Sequence, residues 1–108
     1  MIVEIREYTL HAGKVPEYLA LYEREGLAIQ REILGHMVGY YTTEVGPAVN
    51  QVVHLWAYDS FEERSRRRAK LAEHPGWQAY VRKIRPMLVA QCNRLMRPAP
   101  FFEKELRS

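Results

Sequence analysis

The sequence predicts an α+β fold in which one antiparallel sheet is covered on a single face by helices. Two observations support this prediction. Four segments carry the alternating pattern or the aromatic and β-branched content of strands. Amphipathic helical segments separate the first strand from the second and the third from the fourth, so the element order is βαββαβ, the ferredoxin-like arrangement.

The first half of the chain predicts one strand and one long helix. Residues 2–10 alternate as a strand, and the turn at residues 11–13 ends it. Pro16 suits the first turn of a helix whose apolar residues recur at steps of three and four until Gly35 caps it. Gly26 lies inside this helix and could mark close packing on the sheet, a slight break or a tolerated weakness. We favour close packing.

A hairpin follows the long helix. Residues 36–45 are rich in aromatic and β-branched side chains, and the Gly-Pro-Ala turn at 46–48 precedes a strand within residues 50–60. Counting alternate positions places Met37 and Tyr41 on one face of the first of these strands.

The second half predicts a helical layer and a final strand. Ser60 and Glu63 have the spacing of a capping box at a helix start. His-Pro-Gly at 74–76 interrupts this helix, and a further helical segment precedes Pro86. Residues 88–96 then complete the βαββαβ order.

The chain predicts one domain with a C-terminal appendage. Its 108 residues suit one core, so residues 1–97 are assigned to the domain and 98–108 to an arm. Because Pro98-Ala99-Pro100 cannot continue a regular element, we expect residues 101–108 to lie on a neighbouring surface or to fray.

The composition is typical of a folded, soluble protein rather than a disordered one. Hydrophobic residues make up 47% and charged residues 27% of the chain, and no apolar run approaches the length of a membrane span. The N-terminus lacks the pattern of a secretory signal, so we expect a cytoplasmic protein. Cys92 has no partner cysteine and is expected to be a small buried apolar residue.

One charge run stands out within a net charge of +3. It comprises four arginines and a lysine, Arg64, Arg66, Arg67, Arg68 and Lys70. A solvated helix face explains this run better than nucleic-acid binding, because glutamates flank it and no exposed stacking aromatics accompany it.

Apolar side chains occupy both alternating sets of the predicted strands. Val53 and Leu55 are predicted on one face of their strand and Val52 and Trp56 on the other, so both faces are apolar. A solvent-exposed sheet face is normally more polar. We therefore expect a second copy to cover the outer face, which makes the protein a homodimer.

The chain resembles the NIPSNAP family over nearly its whole length. The resemblance is carried by EIREYTLHAGKVPEYLALYE, by GYYTTEVGPAVNQVVHLWAYDSFEERSRRRAKL and by HPGWQAYVRKIRPMLVAQCNRLMRPAPF. It implies a dimeric α/β barrel, in which the sheets of two ferredoxin-like subunits join. This superfamily includes cofactor-independent monooxygenases, lactone isomerases and haem-binding enzymes, but the resemblance implies no particular reaction.

His54 is the candidate catalytic residue. It alternates with Trp56 and Tyr58 on one strand, and its unperturbed pKa suits general acid or base chemistry. A structural histidine bonded to backbone or a tyrosine is the alternative. Trp56 is more typical of a core residue than of a ligand platform.

Arg6 is the most telling of the candidate ligand-binding residues. A strand arginine needs an anion, which could be Glu4, Glu44 or a substrate carboxylate. Gln91 and Asn93 alternate on the last strand and could donate hydrogen bonds to a ligand or pair with each other across the dimer. The predicted substrate-binding set is Arg6, Tyr8, Tyr40, Trp56, Trp77 and Asn93.

Two functions from different classes remain open. The first is a pocket between sheet and helices that binds an aromatic or apolar molecule, without a cofactor, for oxygenation or isomerisation with His54 as base. The second is a non-catalytic homodimeric interaction module. Histidine spacing predicts no metal site. A cavity of about 300 Å³ or more would favour the pocket, and close packing would favour the module.

Overall fold

The structure, a computed structural model, describes all 108 residues and has the predicted βαββαβ order with one added helix. The strands are β1 (Ile2–Leu10), β2 (His36–Thr42), β3 (Gln51–Tyr58) and β4 (Leu88–Met96). The helices are α1 (Val15–Leu21), α2 (Leu27–Leu34), α3 (Phe61–Glu73), α4 (Pro75–Ile84) and α5 (Pro100–Arg107). A π-helical turn, Tyr22–Gly26, joins α1 to α2, and a 3₁₀ turn, Arg85–Met87, joins α4 to β4.

The four strands form one antiparallel sheet in the order β2-β3-β1-β4. This topology confirms the predicted ferredoxin-like fold. Tyr8 and Leu10 of β1 and Val52 of β3 pack against helix residues in the larger core cluster, so their face is the helix-covered one. Cys92, which we expected to be buried, lies in β4 and is exposed. It pairs with Glu7, one position away from Tyr8, and therefore lies on the opposite face of the sheet.

A bulge in β2 changes which side chains share a face. The register between β2 and β3 shifts between Met37 and Gly39. Met37 therefore pairs with Trp56, on the helix-covered face, and Tyr40 pairs with His54 on the same face. The prediction that Met37 shares a face with Tyr41 is wrong, because the extra residue reverses the alternation.

Gly26 ends the π-helical turn and lies against α4 rather than the sheet. A Cβ atom built at Gly26 would lie 3.0 Å from Cδ1 of Tyr22 and 3.2 Å from the Tyr80 ring. The expected close packing of Gly26 on the sheet is therefore wrong, because its close contacts are with Tyr22 of the same turn and with Tyr80 of α4. The helix departs from α geometry here, which corresponds to the slight break that the sequence also allows.

Side chains cap the N-termini of α3 and α4. The Ser60 hydroxyl accepts a hydrogen bond from the Glu63 amide at 3.1 Å, as the capping-box spacing predicts. The Glu63 carboxylate instead accepts from Arg67, so the reciprocal half of the box is absent. Nδ1 of His74 accepts from the amides of Gly76 and Trp77 at 3.0 and 3.3 Å, which makes His74 the N-cap of α4.

The C-terminal segment is helical rather than frayed. Pro100 occupies the start of α5, a position where the missing amide hydrogen costs nothing. Arg107 pairs with Asp59 at 3.3 Å, and Glu103 pairs with the Met1 amino group at 3.6 Å. These ion pairs tie α5 to the sheet ends where β1 begins and β3 ends. None of the helices combines the length and the apolar character that crossing a membrane requires.

Candidate functional site

A cavity of about 530 Å³ lies between the sheet and the helices. Its sheet side comes from β1, β3 and β4, and its helical side comes from α1 to α4 and the turns beside them. The lining is mostly hydrophobic and includes four tyrosines. The lining residues are Arg6, Tyr8, Tyr18, Tyr22, Gln30, His54, Arg68, Trp77, Tyr80, Val81, Ile84, Arg85, Leu88, Val89, Ala90 and Gln91. Arg85 and the first residues of β4 after Leu88 are exposed, so the cavity reaches the surface there.

The predicted site residues divide into two groups. Four of the seven line the cavity, namely Arg6, Tyr8, His54 and Trp77, and so does Gln91. Tyr40, Trp56 and Asn93 do not line it. Tyr40 and Trp56 instead contact His54, and Asn93 donates a hydrogen bond to Glu4, the partner of Arg6. These three residues therefore support the residues that line the cavity.

His54 is fixed by contacts on several sides. The Trp56 indole nitrogen donates a hydrogen bond to Nδ1 of His54 at 2.7 Å. The Tyr40 ring stacks on the imidazole with the ring centres 4.7 Å apart, and the Tyr8 ring meets it edge-on at 4.9 Å. The His54 side chain is 1% exposed, yet its Nε2 has no hydrogen-bond partner within the chain.

The same contacts determine where His54 carries its proton. Burial and the neighbouring charges of Arg6 and Arg68 lower the pKa of His54 to about 3, so the imidazole is neutral near pH 7. An indole N–H can only donate, and Nδ1 must therefore be the unprotonated nitrogen. The proton lies on Nε2. Nε2 is therefore a hydrogen-bond donor, and it has no lone pair with which to act as a base.

Register brings Arg6, His54 and Asn93 together, as we hypothesised. Arg6 pairs with His54 on one side and with Asn93 on the other, so all three share a face of the sheet. Arg6 donates to the Glu4 carboxylate at 3.1 Å and to the Tyr8 hydroxyl at 3.0 Å. Of the three anions considered for Arg6, the structure therefore supplies Glu4.

Glu4 is the buried carboxylate at the centre of this network. Asn93 donates to it at 2.7 Å, and Arg64 of α3 donates at 2.8 and 3.3 Å. Burial alone would raise the pKa of Glu4, but the hydrogen bonds from Arg64 and Asn93 and the charge of Arg6 lower it to about 2. Glu4 is therefore ionised, and it holds Arg6 in place.

The arginine run of α3 is only partly a solvated face. Arg66 and Lys70 are exposed, as predicted, but Arg64 reaches Glu4 and Arg68 reaches the cavity. Nη1 of Arg68 is buried and has no hydrogen-bond partner. Burial and the charge of Arg6 lower the pKa of Arg68. The available signal was the spacing of Arg64 and Arg68 with the buried Leu71, at i, i+4 and i+7.

Sequence reasoning also missed the tyrosines of the helical wall. Tyr18 and Tyr22 are parallel at 6.4 Å, and Tyr80 packs beside Tyr22 at 6.0 Å. Burial raises the pKa of all three, and of Tyr18 to about 12, so these phenols are protonated near neutral pH. Tyr18, Tyr22 and Tyr80 therefore offer the cavity protonated hydroxyl groups and aromatic faces. Tyr22 and Tyr80 recur with other apolar residues at helical spacing, a pattern that is typical of core residues and does not by itself indicate a cavity.

No cluster of three or more His, Cys, Asp or Glu side chains is placed to hold a metal ion. The histidines are dispersed over the fold, and His74 is already used as a helix cap.

Comparison with known proteins gives a consistent family relationship. The family model described as NIPSNAP matches residues 3–103. The human protein NipSnap homolog 3A is 37% identical over 75 residues, which is 69% of this chain and 30% of the human protein. A Dictyostelium discoideum NipSnap homolog is 38% identical over 80 residues, covering 74% of this chain and 34% of that protein. The chain thus spans about a third of the length of these curated relatives.

Solved structures match over nearly the whole chain. An uncharacterised NIPSNAP-like domain protein from Burkholderia xenovorans is 50% identical, with a TM-score of 0.89 over 93% of this chain and 86% of that one. A NIPSNAP family protein from Agrobacterium tumefaciens is 44% identical, with a TM-score of 0.89 over 93% and 94% of the two chains.

A more distant likeness concerns the fold alone. A cofactor-independent oxygenase from Streptomyces nogalater is 14% identical, with a TM-score of 0.59 over 90% of this chain and 91% of the oxygenase. A putative antibiotic biosynthesis monooxygenase from Nitrosomonas europaea is 11% identical, with a TM-score of 0.66 over 91% and 98% of the chains.

Proposed function

The chain belongs to the NIPSNAP family, and from the cavity in its fold we propose that it binds a small aromatic or conjugated molecule between the sheet and the helices. One observation carries this proposal. The fully buried His54 presents an Nε2 donor without a protein partner, in a residue that lines the cavity. Buried polar atoms are nearly always hydrogen-bonded, so an unpaired donor beside a cavity favours a ligand acceptor.

The size and walls of the cavity support a ligand. Protein interiors are packed to crystal-like density, and voids much larger than a water molecule are few. A volume of about 530 Å³ lies within the range of small-molecule pockets. It also exceeds the value of about 300 Å³ above which a ligand pocket is favoured over a closely packed interaction module. Tyr8, Trp77 and Tyr80 offer ring faces and edges suited to a flat ligand.

The protonation of His54 determines what the pocket can do to a ligand. Because Nε2 carries the proton, His54 would donate a hydrogen bond to a carbonyl, carboxylate or enolate oxygen of the ligand. A donor held in a buried site stabilises negative charge on such an oxygen. We had expected His54 to act as a base, and the bond from Trp56 favours this donor role instead.

The proposal stops at binding and polarisation of a ligand oxygen. The fold shared with oxygenases does not transfer their reaction, because one fold hosts many unrelated chemistries. Tyr18, Tyr22 and Tyr80 stay protonated and Glu4 is engaged by its partners, so these four groups are not suited to act as a base on the ligand.

Native mass spectrometry of protein purified from its own host tests the proposal. Val81 lines the cavity and is half-buried, so Val81→Trp places a large ring in the space. Arg82→Trp is the matched control, because Arg82 follows Val81 on α4 but is exposed and does not line the cavity. We expect wild type and Arg82→Trp to retain the same small molecule, and Val81→Trp to lose it.

The opposite pattern would count against a pocket. Wild type that carries no small molecule, and that binds none from a panel of neutral and charged aromatic compounds, would leave the non-catalytic module as the better account. Retention of the same molecule by Val81→Trp would place the ligand outside the cavity.

A further inference from the structure

The cavity is lined by three guanidinium groups and by no carboxylate. The guanidinium groups belong to Arg6, Arg68 and Arg85. Positive charge in a partly buried site is costly unless an anion or water offsets it. The partners of each arginine therefore indicate whether the cavity itself requires an anion.

Two of these arginines are already accommodated. Arg6 forms an ion pair with Glu4 at 3.1 Å and also donates to the Tyr8 hydroxyl. Arg85 is exposed at the mouth of the cavity, where water can solvate its charge. Neither needs a ligand.

Arg68 differs from both. Its Nη1 is buried without a hydrogen-bond partner, and the nearby Glu4 is bonded to Arg6, Arg64 and Asn93 instead. Glu4 supplies one negative charge against the two positive charges of Arg6 and Arg64 that it already binds. Arg68 itself has no ion-pair partner in the chain, and the charge of the nearby Glu4 is shared with Arg6 and Arg64.

A second unpaired donor belongs to the same cavity. Nε2 of His54 carries a proton, is buried and has no partner. The charge of Arg68 lies near enough to His54 to contribute to its lowered pKa. The two side chains that carry these unpaired donors, His54 and Arg68, both line the cavity, whose other walls are largely aromatic and aliphatic.

From this pairing we infer that the ligand is an aromatic carboxylic acid, bound as the carboxylate by Arg68 and His54, and this inference rests on the proposed function. A guanidinium matches the planar carboxylate with two parallel donors. The carboxylate would also supply the anion that Arg68 lacks. A single free guanidinium beside apolar walls suits one carboxylate better than a doubly charged phosphate.

Isothermal titration calorimetry with two matched probes tests the inference. The probes are 2-naphthoate and its neutral isostere 2-naphthamide, which have the same ring system. We expect wild type to bind the acid at least about tenfold more tightly than the amide, because hydrogen bonds to charged groups are the stronger ones. This comparison is made on the unaltered chain and needs no variant to fold.

Variants of α3 then assign the charge. Arg68→Gln removes the charge while keeping a donor, and we expect it to weaken 2-naphthoate about tenfold or more while leaving 2-naphthamide unchanged. Arg66→Gln, two positions along the helix and exposed, should change neither affinity. Circular dichroism melting checks that both variants fold.

Failure of this inference can be told apart from failure of the proposed function. Equal binding of acid and amide to wild type, with both lost in Val81→Trp, would overturn the carboxylate inference and leave cavity binding intact. Binding of neither probe would count against both. An acid affinity unchanged in folded Arg68→Gln would remove Arg68 as the anchor.

Discussion

At the scale of single residues, Glu4 connects the fold to the candidate site. Its carboxylate is fully buried and yet ionised, because Arg6, Arg64 and Asn93 all donate to it. It joins β1 to β4 through Asn93 and to α3 through Arg64. The position of Arg6 at the cavity therefore depends on a residue that does not line the cavity itself.

We predict that Glu4→Gln destabilises the protein by about 3 kcal/mol at pH 7, since removing one member of a buried ion pair leaves charge uncompensated. The pKa of Glu4 is lowered from 4.5 to about 2 on folding. The stabilisation from its charge is therefore complete above about pH 4.5 and is lost as the pH falls toward 2. Urea unfolding across this range should show the difference between variant and wild type narrowing at low pH.

Glu17→Gln is the control, in an exposed ion pair away from the sheet. Glu17 pairs with Lys14 at 3.2 Å and both side chains are exposed, so its loss should cost less than about 1 kcal/mol. Equal stability losses in the two variants, or a Glu4→Gln loss that does not depend on pH, would contradict the assigned role of Glu4.

At the scale of elements, the π-helical turn shapes the helical wall of the cavity. Tyr22 begins the turn and Gly26 ends it, and both Tyr22 and Tyr80 line the cavity. The absence of a side chain at Gly26 lets the Tyr22 and Tyr80 rings approach this backbone. A change at Gly26 should therefore act on both stability and the cavity.

We predict that Gly26→Ala destabilises the protein by about 1–3 kcal/mol, because the added methyl would overpack against Tyr22 and Tyr80. In an ordinary helix the same substitution would stabilise by about 1 kcal/mol. The sign of the change in the free energy of unfolding, measured in urea, therefore separates the two cases. A stabilised variant would mean that the rings move aside at no cost.

The elements were largely predictable, because hydrophobic periodicity and turn residues are local signals. The order of strands and helices followed from such signals, as did the Ser60 cap. The β2 bulge at Met37 was not predictable, since an inserted residue depends on pairing with β3. The helical form of α5 was missed because we interpreted Pro100 only as a residue that stops an element, although it also suits a helix start.

Part of the candidate site was also predictable. Alternation placed Arg6 and Tyr8 on one face, and the register then brought His54 beside Arg6. The inward direction of Arg68 could not be recognised within a run of charges, because such a run also suits a solvated face. The donor role of His54 depends on a hydrogen bond from Trp56, which composition and spacing do not determine.

At the scale of the whole molecule, the sheet face that points away from the helices carries apolar side chains that no helix covers. Leu55 and Val53 in the central strand β3 are half-buried, and the flanking side chains Tyr41 and Met96 are 60% and 46% exposed. Apolar surface of this kind, extending across strands, is typical of an interface. We propose that two copies of the chain pair through this face.

Light scattering after size-exclusion chromatography should give twice the mass of one chain across a concentration series. Leu55→Lys places a charge in the middle of the face and should shift the protein toward the monomer. Val49→Lys, in an exposed loop position, is the control and should leave the mass unchanged. A wild-type protein with the mass of one chain at every concentration would exclude this dimer.

We propose that the cavity receives a ligand at His54 and Arg68, and a crystal structure of the protein grown with 2-naphthoate is the direct test. We expect ring density between the sheet and the helical wall, with the carboxylate within hydrogen-bond distance of Nε2 of His54 and Nη1 of Arg68. Density only at the protein surface, or a cavity filled by Trp77 or Tyr80, would contradict it.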